Sequence, residues 1–592
     1  MVSPLTGHRF FAVCMVIVGV SSDALAAERT ETRTHLAEDA IQILRTHCHR
    51  CHGIEYKIEG MNVLDLDTLT SAEVDASGEE IRPAAIVVGH ADQSRLYEVI
   101  AEGLMPPLKE LNADEQAIIR DWINASVPWP TEPKRDFISE TEVLENIAEH
   151  LLGVRRDEVK YQRYFTLTHI HNNPKFTQQD LRIHRAALSK AVNSMSDQAT
   201  IVVPKAIDDA KTVFNIDLRH YGWEAFGIWE QVLAQYPYGL KPQAKLDDLD
   251  LYDKIEGLYG AVNFDGVTAL RGDWFIANAT RPPLYHELAK IPKTLDELLE
   301  RADVDIEENF RLNTSRRAGL FESGVSGQNR LIEYHSSNNG RLWLSYDFDQ
   351  NQGRGNLARF PLGPTFADNE FDQFAFDHAG GEIIFNLPNG LHGYMLVDGE
   401  GDRIDAGPVN IVWDSKNISG SPLIVNGLSC ISCHRHGMIR LKDFVRDAHA
   451  VQNPQARRKI RELYPGQAEL DRALADTKSD YLQRLWDTTH EALELSSGQE
   501  DELINAVEPV SKVTEIYGQN IDLQTAASEL GIENADLLQN QVVAGRLSEL
   551  GLGPLSLPKG TIKRAFWDSK ETTATVFQEA AAALDIGTPV SN

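Results

Sequence analysis

Apolar and polar positions change their spacing along the 592-residue chain, and each spacing predicts a different kind of element. Apolar residues recur every three or four positions just before residue 48 and again over residues 113–125, which predicts a helix in each segment. These two apolar faces consist of Leu36, Ala40, Ile43, Ile118, Ile119 and Trp122. Residues 139–188 also show a three- and four-residue spacing, which predicts helix there.

Beyond about residue 260 the pattern becomes strand-like, with near-alternation over residues 341–348 and apolar runs at 382–385, 394–397 and 409–413. The pairs Asn389-Gly390 and Asp398-Gly399 follow such runs, and pairs of this kind are strong hairpin signals. After about residue 426 helical periodicity returns and continues towards the C-terminus. The predicted fold class is therefore multidomain and mainly α, with an antiparallel β region in the centre.

The charge of the chain excludes some partners. Acidic residues number 88 against 57 basic ones, for a formal net charge of −31. Nucleic acids and anionic membrane surfaces are held mainly by Lys and Arg, so the excess excludes both. A basic partner protein would be attracted by complementary charge. Solubility alone explains the same excess equally well.

The first 27 residues have the order of a secretory signal peptide. His8 and Arg9 precede an apolar run from Phe10 to Val20, and small residues at 24–27 supply a cleavage site. The run is shorter than the roughly 20 apolar residues that span a bilayer. No later segment approaches 18 uninterrupted apolar residues. A soluble periplasmic or otherwise extracytoplasmic protein, without stable membrane insertion after cleavage, is predicted.

Cysteine usage carries the strongest chemical signal. Of five cysteines, Cys14 lies in the signal peptide, and the other four form two C-x-x-C-H motifs. These are Cys48-His49-Arg50-Cys51-His52 and Cys430-Ile431-Ser432-Cys433-His434. Two thiols three residues apart can form thioethers to haem vinyl groups, and the following histidine then ligates the iron. The motifs predict two covalently bound haem c groups, with iron ligands His52 and His434.

Three other chemistries compete for these cysteines. A thioredoxin-like redox pair needs no following histidine and sits in a βαβ setting. One four-cysteine zinc site would join pairs far apart in the chain and leave both histidines unexplained. A disulfide within each pair is the third alternative.

Residues 28–135 are predicted to form the first mature domain, which resembles the class I cytochrome c domain of many planctomycete exported proteins. The matching phrases are the first haem motif, Leu64-Asp65-Leu66-Asp67-Thr68, the stretch Gly89–Leu96, Met105-Pro106-Pro107, Trp122-Ile123 and Trp129-Pro130. The resemblance covers about a sixth of the chain and implies an all-α fold with His52 and Met105 as axial ligands. Two prolines stiffen the loop that follows Met105, which suits a fixed thioether ligand. Met61 and His90 are the rival ligands.

The remainder is divided into a central domain of helices followed by strands, residues 136–415, and a helical region with the second motif, residues 416–592. From about residue 161 to residue 567 the chain resembles uncharacterised exported bacterial proteins. These share a Leu-Pro-Asn-Gly turn and an Asn-Gly-Leu-Ser-Cys segment that leads into the haem motif. That resemblance implies no reaction. For the sixth ligand of the second haem, Met438 and His436 are too close in sequence to His434. His378 is the candidate, ahead of His392, Met395 and His449.

Two functions follow from these observations. The first is an exported dihaem cytochrome that transfers electrons to a redox partner protein. The alternative is a haem-dependent oxidoreductase of peroxidase or dehydrogenase type, with an open coordination site at the second haem. The long central region favours the enzyme, whereas the lack of any recognisable catalytic motif favours the carrier.

Overall fold

The computed structural model describes residues 36–590 apart from 38, 46, 50, 53–60, 75–79, 108–109, 130–133, 226, 244, 261–262, 322–326, 415–416 and 571–572, and the side chains of 501 and 505. The predicted signal peptide, Cys14 and Arg50 therefore lie outside the described residues. The chain divides into two compact units, 1–133 and 134–592. Helix makes up about 44% and strand about 14% of the structure, which confirms a multidomain protein of mixed helices and antiparallel sheets.

The described part of unit 1 contains four α-helices and one pair of short antiparallel strands. The helices are α1 (residues 39–45), α2 (Leu66–Thr70), α3 (Arg95–Ala101) and α4 (Ala113–Asn124), and the strands are β1 (Glu73–Val74) and β2 (Glu80–Arg82). Asn112 caps α4 in a reciprocal arrangement with Glu115, which satisfies backbone N–H groups at the helix start. Ala40 and Leu44 of α1 share one core with Ile119 and Trp122 of α4, all fully buried. The predicted helix at 113–125 is confirmed to within one residue.

Unit 2 contains the remaining elements. Its helices are α5 (Glu140–Gly153), α6 (Thr168–Asn172), α7 (Gln178–Ser194), α8 (Ile228–Gln235), α9 (Leu246–Tyr259), α10 (Gly272–Ala279), α11 (Leu284–Leu288), α12 (Leu295–Ala302), α13 (Ile306–Leu312), α14 (Leu428–Cys433), α15 (Pro454–Leu463), α16 (Gln467–Leu493), α17 (Glu500–Asn505), α18 (Pro509–Tyr517), α19 (Leu523–Glu529), α20 (Ala535–Val543), α21 (Arg564–Trp567) and α22 (Val576–Ala583). Its strands are β3 (Gln162–Thr166), β4 (Lys205–Ala206), β5 (Val213–Asp217), β6 (Leu240–Pro242), β7 (Leu270–Arg271), β8 (Arg316–Leu320), β9 (Arg330–Ser337), β10 (Gly340–Asp347), β11 (Gly380–Asn386), β12 (His392–Asp398), β13 (Arg403–Ile404), β14 (Ala406–Gly407), β15 (Ile424–Val425), β16 (Ile521–Asp522), β17 (Thr561–Ile562) and β18 (Gly587–Pro589).

A six-stranded antiparallel sheet dominates unit 2, in the order β13-β12-β11-β10-β9-β8. Each strand pairs with its neighbours in sequence. Short connections join most of these pairs, as antiparallel strands allow, whereas residues 348–379 connect β10 to β11. Residues that pair across strands point to the same side of a sheet. The row Trp343–Ile384–Tyr394 and the pair Asp347–Gly380 therefore lie on one side, which we call face A, while the row Leu344–Ile383–Met395 lies on the other, face B.

The structure differs from the predicted element types in three places. Strand β3 falls inside the segment predicted as helix, where Tyr164 and Phe165 favour a short buried strand in a four-stranded sheet with β4, β5 and β7. Helices α10–α13 occupy residues 272–312, which the sequence placed in a strand-like region. Several are only five to eight residues long, too short to show helical periodicity. Residues 409–413 form a turn and coil instead of a strand.

The second motif belongs to the same compact unit as the sheet. Helices α16 and α18 both pack on α7, although more than 270 positions separate them from it in the chain. The ammonium of Lys190 on α7 is 2.9 Å from the carboxylate of Glu508, and Ser189 donates a hydrogen bond to the Thr488 carbonyl. These contacts lie within unit 2, which runs from residue 134 to residue 592. Within the described part of the chain, no helix is long and apolar enough to cross a membrane.

Candidate haem sites

The first C-x-x-C-H motif forms a single tight turn after α1. The Cys51 and His52 N–H groups both donate to the Cys48 carbonyl, at 3.1 and 2.9 Å, and the Cys48 N–H donates to the Leu44 carbonyl. This turn continues the direction of α1, so the apolar face that packs on α4 also fixes the position of the motif. The His52 carbonyl accepts from the Val63 N–H at 2.9 Å.

The two thiols of the first motif differ in exposure. Cys48 is half-buried and Cys51 is exposed, and the structure has both as free thiols. Burial, with a smaller contribution from Cys51, raises the pKa of the Cys48 thiol to about 11. Between the motif and α4, His47 Nε2 lies 3.2 Å from a carboxylate oxygen of Glu115. One thiol of this pair therefore lies at the surface of a small unit.

Met105 lies on the loop between α3 and α4. The N–H groups of Leu104 and Met105 donate to the Val99 carbonyl, which turns the chain directly after α3. The Met105 side chain is 36% exposed and Leu104 is 55% exposed. Of the two rivals, Met61 is buried in the unit 1 core and His90 is exposed. The donor set of two thiols, a histidine and an available thioether fits a c-type haem.

The second motif forms the end of helix α14. The His434 N–H donates to the Cys430 carbonyl at 2.8 Å, as His52 does to Cys48 in unit 1. Gly427 begins this helix with a φ of +81°, and a Cβ there would lie 2.5 Å from the Thr280 carbonyl oxygen. Only glycine tolerates both conditions. The preceding Asn426 is held by a 2.8 Å contact between its Nδ2 and His286 Nε2.

The two ring nitrogens of His434 have different surroundings. Nδ1 is 3.3 Å from the Gly437 carbonyl oxygen, whereas Nε2 is 3.8 Å from a carboxylate oxygen of Glu382. A ligating histidine commonly donates its Nδ1–H to a carbonyl, which leaves Nε2 for the metal. The ring centroid lies 6.2 Å from that of Tyr394. His434 is therefore oriented towards face A, with Nε2 as the nitrogen that could bind a metal.

Glu382 was not identified from the sequence as a functional residue. It occupies β11 between Gly381 and Ile383, where its largely buried side chain faces His434, Arg330 and Cys430. Burial alone would raise the pKa of this carboxyl, but hydrogen bonding and charge from His434, with Arg330, lower the pKa to about 2. Burial also raises the pKa of the Cys430 thiol, and the Glu382 carboxylate raises it further. A lone glutamate in an otherwise apolar strand was the signal available in the sequence.

Three buried polar atoms on face A have no hydrogen-bond partner. They are Trp343 Nε1, Tyr394 Oη and His392 Nδ1. Leaving a buried polar group unsatisfied costs about 1–3 kcal/mol, so a group that accepts hydrogen bonds fits here. Haem propionates carry such acceptor oxygens, so the hydroxyl of Tyr394 beside His434 could donate to one of them. His392 stacks on Tyr481 at 4.2 Å between ring centroids, and burial lowers its pKa to about 3.

The structure does not bring His378 and His434 together. The His378 ring packs edge-on against Tyr346, 5.0 Å between centroids, and Tyr346 belongs to face B. His378 lines a groove of about 770 Å³ there. His378 therefore lies on face B of the sheet, whereas Glu382 and His434 lie on face A. Met395 also points to face B and His449 is exposed, whereas His392 lies on face A.

Among the described residues, no three His, Cys, Asp or Glu side chains cluster as a metal-ion site. A c-type haem needs no such cluster, because its iron takes at most two protein ligands. Comparison of the chain with protein-family models, curated proteins and solved structures finds no match.

Proposed function

We propose that this protein is an exported c-type cytochrome that binds two haems covalently and transfers electrons. One observation carries the proposal: two different compact units each hold a C-x-x-C-H motif in which the histidine comes back to its first cysteine. In each motif the histidine N–H donates to the carbonyl of the first cysteine, at 2.9 and 2.8 Å. Because that shared hydrogen bond brings the histidine and the first cysteine together in each unit, it supports two equivalent attachments.

The proposed roles follow from the residues at each site. When bound, haem supplies one-electron iron chemistry. In unit 1, a class I cytochrome c domain, Cys48 and Cys51 form the thioethers, His52 ligates the iron and Met105 supplies the opposite thioether ligand. In unit 2, Cys430 and Cys433 attach the second haem and His434 ligates it. His378 has no place in this proposal, because it lies on the other face of the sheet.

The acidic chain would recognise a redox partner through complementary basic charge, at a rate that falls with ionic strength. The proposed location is the periplasm or another extracytoplasmic compartment, where thiols and haem are joined. Nucleic acid is excluded as a partner by the net charge of −31.

A second candidate function is favoured by the surroundings of His434. Glu382, Tyr394 and His392 form a buried polar group beside it, and an electron carrier needs no acid or phenol at its haem. An oxidoreductase with an open coordination site would use such groups to orient substrate and move protons. Optical and EPR spectra with and without CO or cyanide separate the two functions. Two low-spin signals that added ligand leaves unchanged exclude the enzyme, and a high-spin signal that binds CO excludes the simple carrier.

Haem stoichiometry tests the main proposal. The protein is produced with its signal peptide in a host that matures c-type cytochromes, and intact mass and the pyridine haemochrome spectrum are measured. Two haems per chain are expected. The double variants C48S/C51S and C430S/C433S should each retain one haem, and Ser432→Ala, a change within the second motif, should retain two. A chain without covalent haem, or with a disulfide or zinc in either motif, contradicts the proposal.

A further inference from the structure

The position of Glu382 carries an inference that rests on the proposed haem at His434 and goes beyond it. Glu382 and the iron-binding nitrogen of His434 are 3.8 Å apart. Iron bound at Nε2 would therefore have this carboxylate close by. The Glu382 side chain is only 17% exposed, so water screens its charge weakly.

Glu382 is not explained as a counterion for Arg330. The Arg330 guanidinium already binds both carboxylate oxygens of Asp347, with an Nη2–Oδ2 distance of 2.9 Å. Its distance to Glu382 is 4.0 Å, at the limit of an ion pair. With Arg330 paired to Asp347, His434 is the main positive partner of Glu382, and an imidazole that binds iron through Nε2 carries no charge of its own. A buried charge is costly unless another charge compensates it.

The oxidised haem provides that compensation. Ferric iron in a porphyrin dianion has a net positive charge, whereas ferrous iron leaves the group neutral. A fixed carboxylate nearby therefore stabilises the ferric state more than the ferrous state, which lowers the reduction potential. We propose that Glu382 sets the potential of the second haem, by placing its carboxylate against the iron-binding side of His434.

The consequence is a fixed order of potentials. His/Met ligation raises the potential of a haem, so the first haem accepts an electron more readily than the second. A one-electron donor that reduces the second haem would leave it as a stronger reductant than the first. Glu382 is thus a residue that acts through charge, and it needs no contact with a substrate.

The test is a potentiometric titration of the dihaem holoprotein, followed by optical spectra. Glu382→Gln preserves the shape of the side chain and removes its charge. The midpoint potential of the second haem should shift upwards, while that of the first haem stays constant as an internal standard. The control Glu400→Gln removes the same charge from the exposed turn after β12 and should shift neither midpoint.

A second variant decides the question if Glu382→Gln does not fold. Asp347→Asn removes the partner of Arg330, which can then pair with Glu382 and neutralise it, and the second midpoint should again rise. An unchanged or lower second midpoint in the folded variant overturns the inference. A wild-type chain with no haem at Cys430 and Cys433 overturns the proposed function instead, and the haem count shows this before any titration.

Discussion

The two C-x-x-C-H motifs share a backbone hydrogen bond from the histidine N–H to the carbonyl of the first cysteine, but their surroundings differ. In unit 1 the thiol of Cys51 and the thioether of Met105 are exposed, and the nearby ion pair His47–Glu115 is partly open to solvent. In unit 2 Cys430 is buried, and a buried carboxylate faces the histidine. An exposed site suits rapid exchange of electrons with a partner protein. A buried site with a charged neighbour suits control of the reduction potential or of a catalysed reaction. The same five-residue pattern therefore predicts attachment, and its neighbours determine the role.

The largest expected effect concerns the independence of the two units. Arg317 and Glu333 are completely buried in unit 2 and form two hydrogen bonds of 2.9 and 3.0 Å. Arg317→Met removes the guanidinium partner of the Glu333 carboxylate and should lower the free energy of unfolding of unit 2 by about 3–5 kcal/mol. Thermal unfolding followed at each haem should show the loss in unit 2 alone.

The matched control is Arg311→Met, which breaks an exposed ion pair with Glu307 on α13 and should cost less than about 1 kcal/mol. A loss of similar size in both units after Arg317→Met would show that the two units unfold together, and the comparison between them would fail.

Acid should lower the stability of unit 2 through His286, which contacts Asn426 next to the second motif. Burial lowers the pKa of this histidine to about 4, below its ordinary value of about 6.5. Between these values the unfolded chain binds the proton and the folded chain does not, so stability falls as the pH drops through this window. The loss in unit 2 is expected to reach at most about 3 kcal/mol. Denaturant unfolding near pH 7 and near pH 4 measures it.

The variant His286→Gln keeps an acceptor for Asn426 Nδ2 but cannot titrate, so it should remove this part of the pH dependence. If the wild type and His286→Gln lose the same stability on acidification, the pKa of His286 is not lowered by folding.

A smaller effect is expected in the core of unit 1. Trp122 is fully buried and its Nε1–H donates to the Pro128 carbonyl at 2.8 Å. Trp122→Phe leaves that carbonyl without its donor and should cost about 1–3 kcal/mol, with no change at the second haem. Ile81→Ala, at an exposed position of the same unit, should change stability by less than about 0.5 kcal/mol. Urea unfolding monitored at each haem distinguishes the two variants, and a Trp122→Phe effect on unit 2 would contradict separate cores.

The smallest effect on stability comes from Met105. Because its side chain is 36% exposed, Met105→Ala should change the free energy of unfolding of the haem-free chain by less than about 0.5 kcal/mol. The substitution should nevertheless lower the reduction potential of the first haem, because the thioether ligand is lost. For the same reason the iron of that haem should change from low spin to high spin. Spectra of the first haem that remain unchanged would remove Met105 as a ligand and favour Met61 or His90.

Local patterns predicted much of this fold. The apolar spacing of Ile119 and Trp122 gave α4, and Asn389-Gly390 gave the turn between β11 and β12, because each pattern lies within one element or one hairpin. The short strand β3 and helices α10–α13 escaped prediction because tertiary packing, not periodicity, selects them. His378 lies before β11, where its ring packs on Tyr346 of face B, and no local pattern in the sequence predicts that contact.

The candidate site was predictable only in part. Its cysteines and histidines are contiguous in the sequence, so the motifs identified them directly. Glu382, Arg330 and Asp347 come from three strands, and their distances to His434 arise only when the sheet and α14 pack together. Glu382 differs from its strand neighbours in charge, but nothing in the sequence states which group its carboxylate faces.

The measurement that tests the account most directly is a potentiometric titration of the purified wild-type protein, with each haem identified by the variants C48S/C51S and C430S/C433S. Two one-electron transitions of unequal midpoint are predicted, with the haem at His434 lower than the haem at His52. Two equal midpoints, a reversed order or a single transition in a chain that carries both haems would contradict it.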